Sequence, residues 1–217
     1  MGKEGTDQEL SGISERREKL LNVAFELFAA NSIEAVKLTD IAEKSGIGIA
    51  TLYRYFGTKP CLVIEIGTRK WFEYFDAVEI AFQKRGGNNM TAAEELDFFL
   101  DCFIELYQNH KEVLRFNRNF DTYVKHEGCT AEQMRPYNDA VNLFAMKFHR
   151  LYQNGMNDGT LDIRFPEKKF FINLLYIMLS AAGKYAEGLI YPVDDEPDKT
   201  EELYMLKHII LNAFVRK

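Results

Sequence analysis

"GIGIATLYRYFGTK", running from Gly46 to Lys59, sets a spaced glycine pair ahead of a helix-forming run. Glycines spaced this way open a nucleotide-binding turn in one setting and make the tight corner between two short helices in another. A dinucleotide fingerprint needs a β-strand before its first glycine and a glycine or alanine at its third position. Here the preceding run is "TDIAEKS", helical in pattern, and the third position is Thr51. The nucleotide reading fails on context. The corner reading fits at several positions. Ala42 is small where a second helix must cross closely, and Ile41 and Leu52 are placed to bury against each other. Gly46 takes the turn, where a Cβ would be strained.

Working outward, "ERREKLLNVAFELFAANS" puts Leu20, Leu21, Ala24, Phe25, Leu27 and Phe28 on one stripe with charges opposite. This predicts an amphipathic helix that Ser14 can cap and Asn31–Ser32 ends. "KLTDIAEKSG" predicts a second helix, too short to stand without packing, which Gly46 closes in a left-handed conformation. "IATLYRYF" predicts a third. Thr58 caps a fourth that opens with Lys59 and Pro60, carries Ile64, Trp71, Phe75, Val78 and Phe82 on one side, and stops near Lys84 at "RGGNN".

Four or five more helical segments follow. Leu96, Phe99, Phe103 and Leu106 stripe one, and Val113, Phe116, Phe120 and Tyr123 another over residues 110–126. Tyr137, Val141, Phe144, Phe148 and Leu151 mark a third that "NGMNDGT" closes. Residues 167–188 are apolar on two sides: Phe170, Leu174, Ile177 and Ala181 on one, Phe171, Leu175, Met178 and Ala182 on the other. "YPVDDEPD" is a turn-rich break, and a last helix over about 198–216 carries Leu203, Leu206, Ile210 and Phe214. No segment alternates as a strand does, so the expected fold class is all-α.

The tail of the opening stretch gives the corner a purpose. Thr51, Tyr53, Arg54, Tyr55 and Lys59 can all hydrogen-bond phosphate, and the N-terminus of the following helix adds free N–H donors. Residues 16–60 hold seven basic and five acidic side chains, against a formal net charge of −6 for the whole chain. The sign asymmetry runs in the direction that DNA contact requires. "LTDIAEKSGIGIATLYRYFGTKPCL" resembles the DNA-binding signature of the tetracycline-repressor-like (TetR) family of bacterial transcription regulators. The likeness covers roughly residues 13–62; the rest matches only in length and all-α pattern.

That resemblance implies a three-helix helix-turn-helix domain at 13–60, linked through the helix at 59–84 to a larger helical ligand-binding and dimerisation domain at 61–217. It also implies a homodimer on palindromic double-stranded operator DNA. By position, Tyr53, Tyr55 and Lys59 fall where the family commonly contacts phosphate. Gly48, Ile49, Ala50 and Thr51 fall at the start of the recognition helix, which faces base edges. Lys37 stands where a Thr or Ser cap is common, so the cap must come from elsewhere, with Thr39 shifting the helix start. Gly48 and Ile49 replace frequent polar readers. Direct readout would then rest on Thr51, Arg54 and apolar contact of Ile49 or Ala50 with thymine methyls.

Composition bounds the rest. A chain of 217 residues, 47% hydrophobic, buries a substantial core in one or two domains. The polar N-terminus lacks the apolar core of a signal peptide, and "FFINLLYIMLSAAG" (170–183) is shorter than a membrane span. Cys61, Cys102 and Cys129 are odd in number and widely separated, as reduced thiols are. Together these point to a cytoplasmic protein without a membrane partner.

Of 29 aromatic residues, five precede residue 61, leaving an excess in the larger part that suits an apolar cavity. Trp71, Phe75, Phe103, Tyr107, Phe120, Tyr123, Phe144, Phe148 and Tyr176 are its candidate linings, for an effector that is lipophilic or aromatic. His110, His126, His149 and His208 are scattered without ligand spacing, so neither a metal nor a cofactor is expected. No nucleophile–base constellation stands out, and no enzyme is expected. Two alternatives stay open: a regulator with a protein effector, and an α-helical hydrolase or lyase using the same cavity. The last two helices carry the expected dimer face, at Phe171, Leu175, Met178, Ala182, Leu203, Leu206, Ile210 and Phe214, because one domain core covers only one side of an all-round apolar helix.

Overall fold

The amphipathic stripes become helices in the computed structural model, which describes residues 4–188 and 198–216, with the backbone alone for residues 4–11. In chain order these are α1 (Glu4–Ala30), α2 (Leu38–Ser45), α3 (Ile49–Phe56), α4 (Lys59–Arg85), α5 (Ala92–Asn109), α6 (Lys111–His126), α7 (Ala131–Asp158), α8 (Glu167–Glu187) and α9 (Thr200–Phe214). Among the described residues there is no strand, only an isolated antiparallel bridge between Leu161 and Val215. The fold is all-α, as the periodicity predicts.

Two boundaries differ from the sequence reading. Helix α1 starts at Glu4, because no proline interrupts the run, so Ser14 lies inside it and caps nothing. Helix α4 reaches Arg85 and stops where Gly86 turns to φ 138°, a conformation that glycine alone adopts freely. The "YPVDDEPD" break lies outside the described residues except for its final Asp198.

The chain divides into two compact units. The first holds the described residues up to Arg69 together with Phe116–Tyr137. Its core is built on Leu20, Ala24, Phe28, Ile33, Ile41 and Leu52, all almost fully buried. A run of rings continues it: Phe25 lies 5.7 Å from Phe116, Phe116 lies 5.9 Å from Phe120, and Phe120 stacks on Tyr137 at 4.3 Å. Gly67 of α4 makes room for that last pair. A Cβ there would lie 3.0 Å from the Phe120 ring and 3.2 Å from Tyr137.

The second unit holds Lys70–Arg115 and the described residues from Asn138 onward. Within it α5 packs against α8 and α9, and Leu96, Phe99, Leu106, Leu174 and Leu203 are almost fully buried. Glu95 is buried there and accepts from Arg150 at 2.7 Å and from Asn154 at 3.2 Å, which answers the cost of burying a carboxylate. Helices α4, α6 and α7 each contribute to both units. No helix among the described residues is long and apolar enough to cross a membrane.

Candidate nucleic-acid interface and ligand cleft

The corner between α2 and α3 is made by local hydrogen bonding. The Ile47 N–H reaches back to the Ala42 carbonyl and the Gly46 N–H to that of Glu43, both at 3.1 Å, while Gly46 sits at φ 67°. This is the left-handed helix stop that glycine permits. Ser45, which the sequence reading passed over, is buried and staples the same turn: its hydroxyl donates to the Ala42 carbonyl at 3.0 Å and accepts from Ile47 at 3.2 Å. Gly48 is different. Its φ is −57° and open space surrounds the position of a Cβ, so no conformational demand requires glycine there.

The missing cap on α2 is supplied from inside the helix. Asp40 accepts the Lys37 N–H at 2.8 Å, leaving Lys37 at the N-cap and the helix start at Leu38. Thr39 therefore does not shift the start; its hydroxyl turns to Asp40 instead. At the next boundary Thr58 accepts the Cys61 N–H at 3.4 Å and caps α4, as predicted.

Helix α3 buries Leu52 and Phe56 and leaves Ala50, Tyr53 and Arg54 exposed. Tyr53 is 52% exposed, and Lys37, Thr39, Gly48, Ala50 and Arg54 are exposed too. Ile49, Thr51, Tyr55 and Lys59 are half-buried. The Arg54 guanidinium lies 5.5 Å from the Tyr55 ring, and the Tyr55 hydroxyl is buried without a hydrogen-bond partner among the described residues. The Lys59 ammonium donates to the Glu34 carbonyl at 3.3 Å and lies 5.4 Å from the Tyr123 ring. Burial holds its pKa below the ordinary lysine value, against the pull of Glu34 and Glu127. Arg17, outside the sequence prediction, pairs with Glu65 at 2.5 Å and covers the Phe56 ring at 5.2 Å.

The aromatic residues predicted to line one cavity fall in three places. Phe120 and Tyr123 belong to the first unit and serve its packing. Tyr176 points away from any core, 66% exposed on α8. The others lie in the second unit. There Trp71 stacks on Phe75 at 5.4 Å, Phe75 on Phe144 at 5.2 Å, and Phe144 meets Phe148 at 5.0 Å and Phe103 at 5.8 Å. Tyr107 is fully buried and accepts the Lys199 N–H at 2.9 Å. Most of these rings fill space rather than line it.

Beside them lies a cleft of about 350 Å³ against α4, α5 and α7, lined by Phe75, Val78, Phe82, Phe99, Leu143, Phe144 and Met146 with Asp76, Glu79 and Lys147. Of the predicted residues only Phe75 and Phe144 line it.

The predicted dimer face also needs correction. Met178, Ala182, Leu203 and Ile210 are buried in the second unit's own core, and Phe171 packs on Phe148 at 4.9 Å. Leu175 and Leu206 are half-buried, and Phe214 sits edge-on to Phe170 at 5.0 Å. The outward apolar side chains are instead Tyr176 and Ile177 on α8 and Tyr204, Met205 and Ile209 on α9.

Comparison with known proteins gives the first unit a family. Residues 20–66 match the profile described as "Bacterial regulatory proteins, tetR family". The transcriptional repressor KstR of Mycolicibacterium smegmatis is 31% identical over 86 residues, 40% of each chain. The repressor KstR2 of Rhodococcus jostii is 43% identical over 56 residues, 26% of this chain and 28% of that one. The chain thus matches less than half the length of these curated relatives. In fold the likeness is nearly complete. A transcriptional regulator from Saccharomonospora viridis, solved in complex with choline, covers 94% of this chain and all of its own, with a TM-score of 0.72 at 20% identity. The glycine corner, the outward-facing residues of α3 and the profile match agree that residues 20–66 form a DNA-binding segment of the kind found in the TetR family of bacterial regulatory proteins.

Proposed function

We propose that the protein is a ligand-responsive transcriptional repressor: a homodimer that binds palindromic double-stranded DNA and is released by a lipophilic or aromatic small molecule. The observation that carries this reading is the exposed face of α3, with Tyr53 and Arg54 exposed and Thr51 half-buried beside them on a helix that a major groove can admit. The match to curated repressors over the same segment supports it.

Pairing is attributed to the outward apolar side chains of α8 and α9, whose burial against a second copy removes a patch that water penalises. Release is attributed to α4. It is one helix from Lys59 to Phe82, which lines the cleft, and a change at the cleft is proposed to reach α3 through it. On this reading the protein acts in the cytoplasm and does no chemistry of its own.

The test is selection from a pool of random 30-base-pair duplexes at physiological salt. The reading expects an enriched inverted repeat, bound by two copies of the chain. A pool that stays unenriched, or yields a site without two-fold symmetry, contradicts it.

A further inference from the structure

The two glycines that flank Ile47 differ in what the fold asks of them. Gly46 is required by its φ of 67°, whereas Gly48, at φ −57° and with open space where a Cβ would lie, is required by no backbone or packing constraint. Gly48 is exposed and stands at the N-cap of α3, directly ahead of Ile49 and Ala50. A bare position there lets another molecule come close to the start of the helix.

The exposed face of α3 carries few kinds of chemistry. Ala50, Tyr53 and Arg54 stand at i, i+3 and i+4, on one side of the helix, and all three are exposed. The helix, "IATLYRYF", has no Asn or Gln to bond adenine in bidentate fashion and no Asp or Glu to accept from cytosine. What it offers to base edges is a methyl group at Ala50 and a guanidinium at Arg54. That guanidinium lies 5.5 Å from the Tyr55 ring centroid, a contact that limits its freedom, and α3 holds no carboxylate to draw it away. The lysines of the adjoining helices are engaged: Lys44 with Glu26 at 3.0 Å, and Lys59 with the Glu34 carbonyl at 3.3 Å.

We infer that α3 reads its duplex through thymine methyls and guanine, at close approach. Ala50 packs on the thymine C5-methyl, and Arg54 donates two hydrogen bonds to guanine O6 and N7. Gly48 is left bare so that a side chain as short as alanine's reaches the floor of the groove. Ala50 and Arg54 are about 6 Å apart along the helix and a base-pair step is about 3.4 Å, so the two bases stand about two to three base pairs apart in each half-site. This names the base pairs that the interface selects and rests on the repressor reading above.

The experiment takes the duplex selected with the full chain and replaces its bases one at a time. Uracil for thymine deletes only the methyl, and should weaken binding about fourfold at the contacted thymine and not elsewhere. 7-Deazaguanine for guanine deletes only the N7 acceptor, and should weaken binding about tenfold at the contacted guanine. Ala50→Gly should bind the thymine and uracil duplexes equally, and Arg54→Gln the guanine and 7-deazaguanine duplexes equally. Gly48→Leu should leave the urea midpoint unchanged, because its backbone suits any residue, yet bind the selected duplex more weakly and lose the response to uracil. A selected duplex that uracil weakens nowhere, that 7-deazaadenine weakens more than uracil does, or that Gly48→Leu binds like the wild type overturns the assignment and leaves the repressor reading standing. A pool that yields no preferred duplex overturns both.

Discussion

The first unit makes its candidate interface from short-range rules, whereas the second makes its cleft from rings that meet across helices distant in sequence. Helices α2 and α3 have eight residues each, too few to persist alone, and are held by Ile41 and Leu52 and by a turn whose bonds span five residues or fewer. In the second unit, Phe148 and its helix neighbour Phe144 meet Phe99 of α5 and Phe171 of α8, two other stretches of chain. The contrast teaches that a recognition surface can be written in one segment, while a pocket is the residue of how a core packs.

The contrast can be broken at several levels. The largest effect is all-or-none: Ile209→Glu, on the outward face of α9, should convert a dimer into monomers with little change in helix content. Sedimentation velocity at micromolar concentration checks this, and a wild-type chain that sediments as a monomer removes the pairing proposal. Next, Phe148→Ala deletes a ring at the centre of the second unit and should cost about 3–5 kcal/mol in urea unfolding. Glu95→Ala strands Arg150 and Asn154 and should cost about 2–3 kcal/mol by the same measurement.

In the first unit the paired glycines separate. Gly46→Ala forces a Cβ into the left-handed region and should cost about 1–2 kcal/mol. Gly48→Ala should stay within about 0.5 kcal/mol, because its backbone suits any residue. Equal costs would mean that the corner is not held by conformation. The smallest effect concerns thiols. Burial, aided by Asp101 and Glu105, pushes the Cys102 thiol up to about 12, so at pH 8 it stays protonated and unreactive. Iodoacetamide at that pH should label exposed Cys61 in the folded protein and Cys102 only on unfolding, as mass spectrometry of the peptides would show.

These differences track what was legible in the sequence. Gly46, Thr58 and Pro60 act within a turn of where they stand, so the corner, the cap and the helix register could be read directly. The Asp40 cap was missed because it works from the third helical position back toward Lys37, a pairing usually sought behind a Ser or Thr. The cleft was only half visible: Phe75 and Phe144 lay on apolar stripes, but Asp76, Glu79 and Lys147 look like ordinary surface charges until α4 and α7 meet. Half of the residues expected on a dimer face proved buried in the chain's own core for a related reason. Helix α8 is apolar on two sides, so its period does not say which side the chain buries. Packing chose Leu174, Met178 and Ala182, leaving Tyr176 and Ile177 outside.

The central claim, that the outward face of α3 engages DNA, meets its most direct test in the salt dependence of duplex affinity. Binding of the selected duplex should fall linearly in a plot of log affinity against log salt, because each phosphate neutralised releases a counterion. Arg54→Ala should make that slope shallower by about one unit per subunit and weaken the selected duplex more than unrelated ones, as loss of a base-reading cation does. Lys59→Ala should change it less, since the ammonium is already held by the Glu34 carbonyl and shielded beside Tyr123. A wild-type affinity that does not vary with salt, or a slope that Arg54→Ala leaves unchanged, would contradict the account.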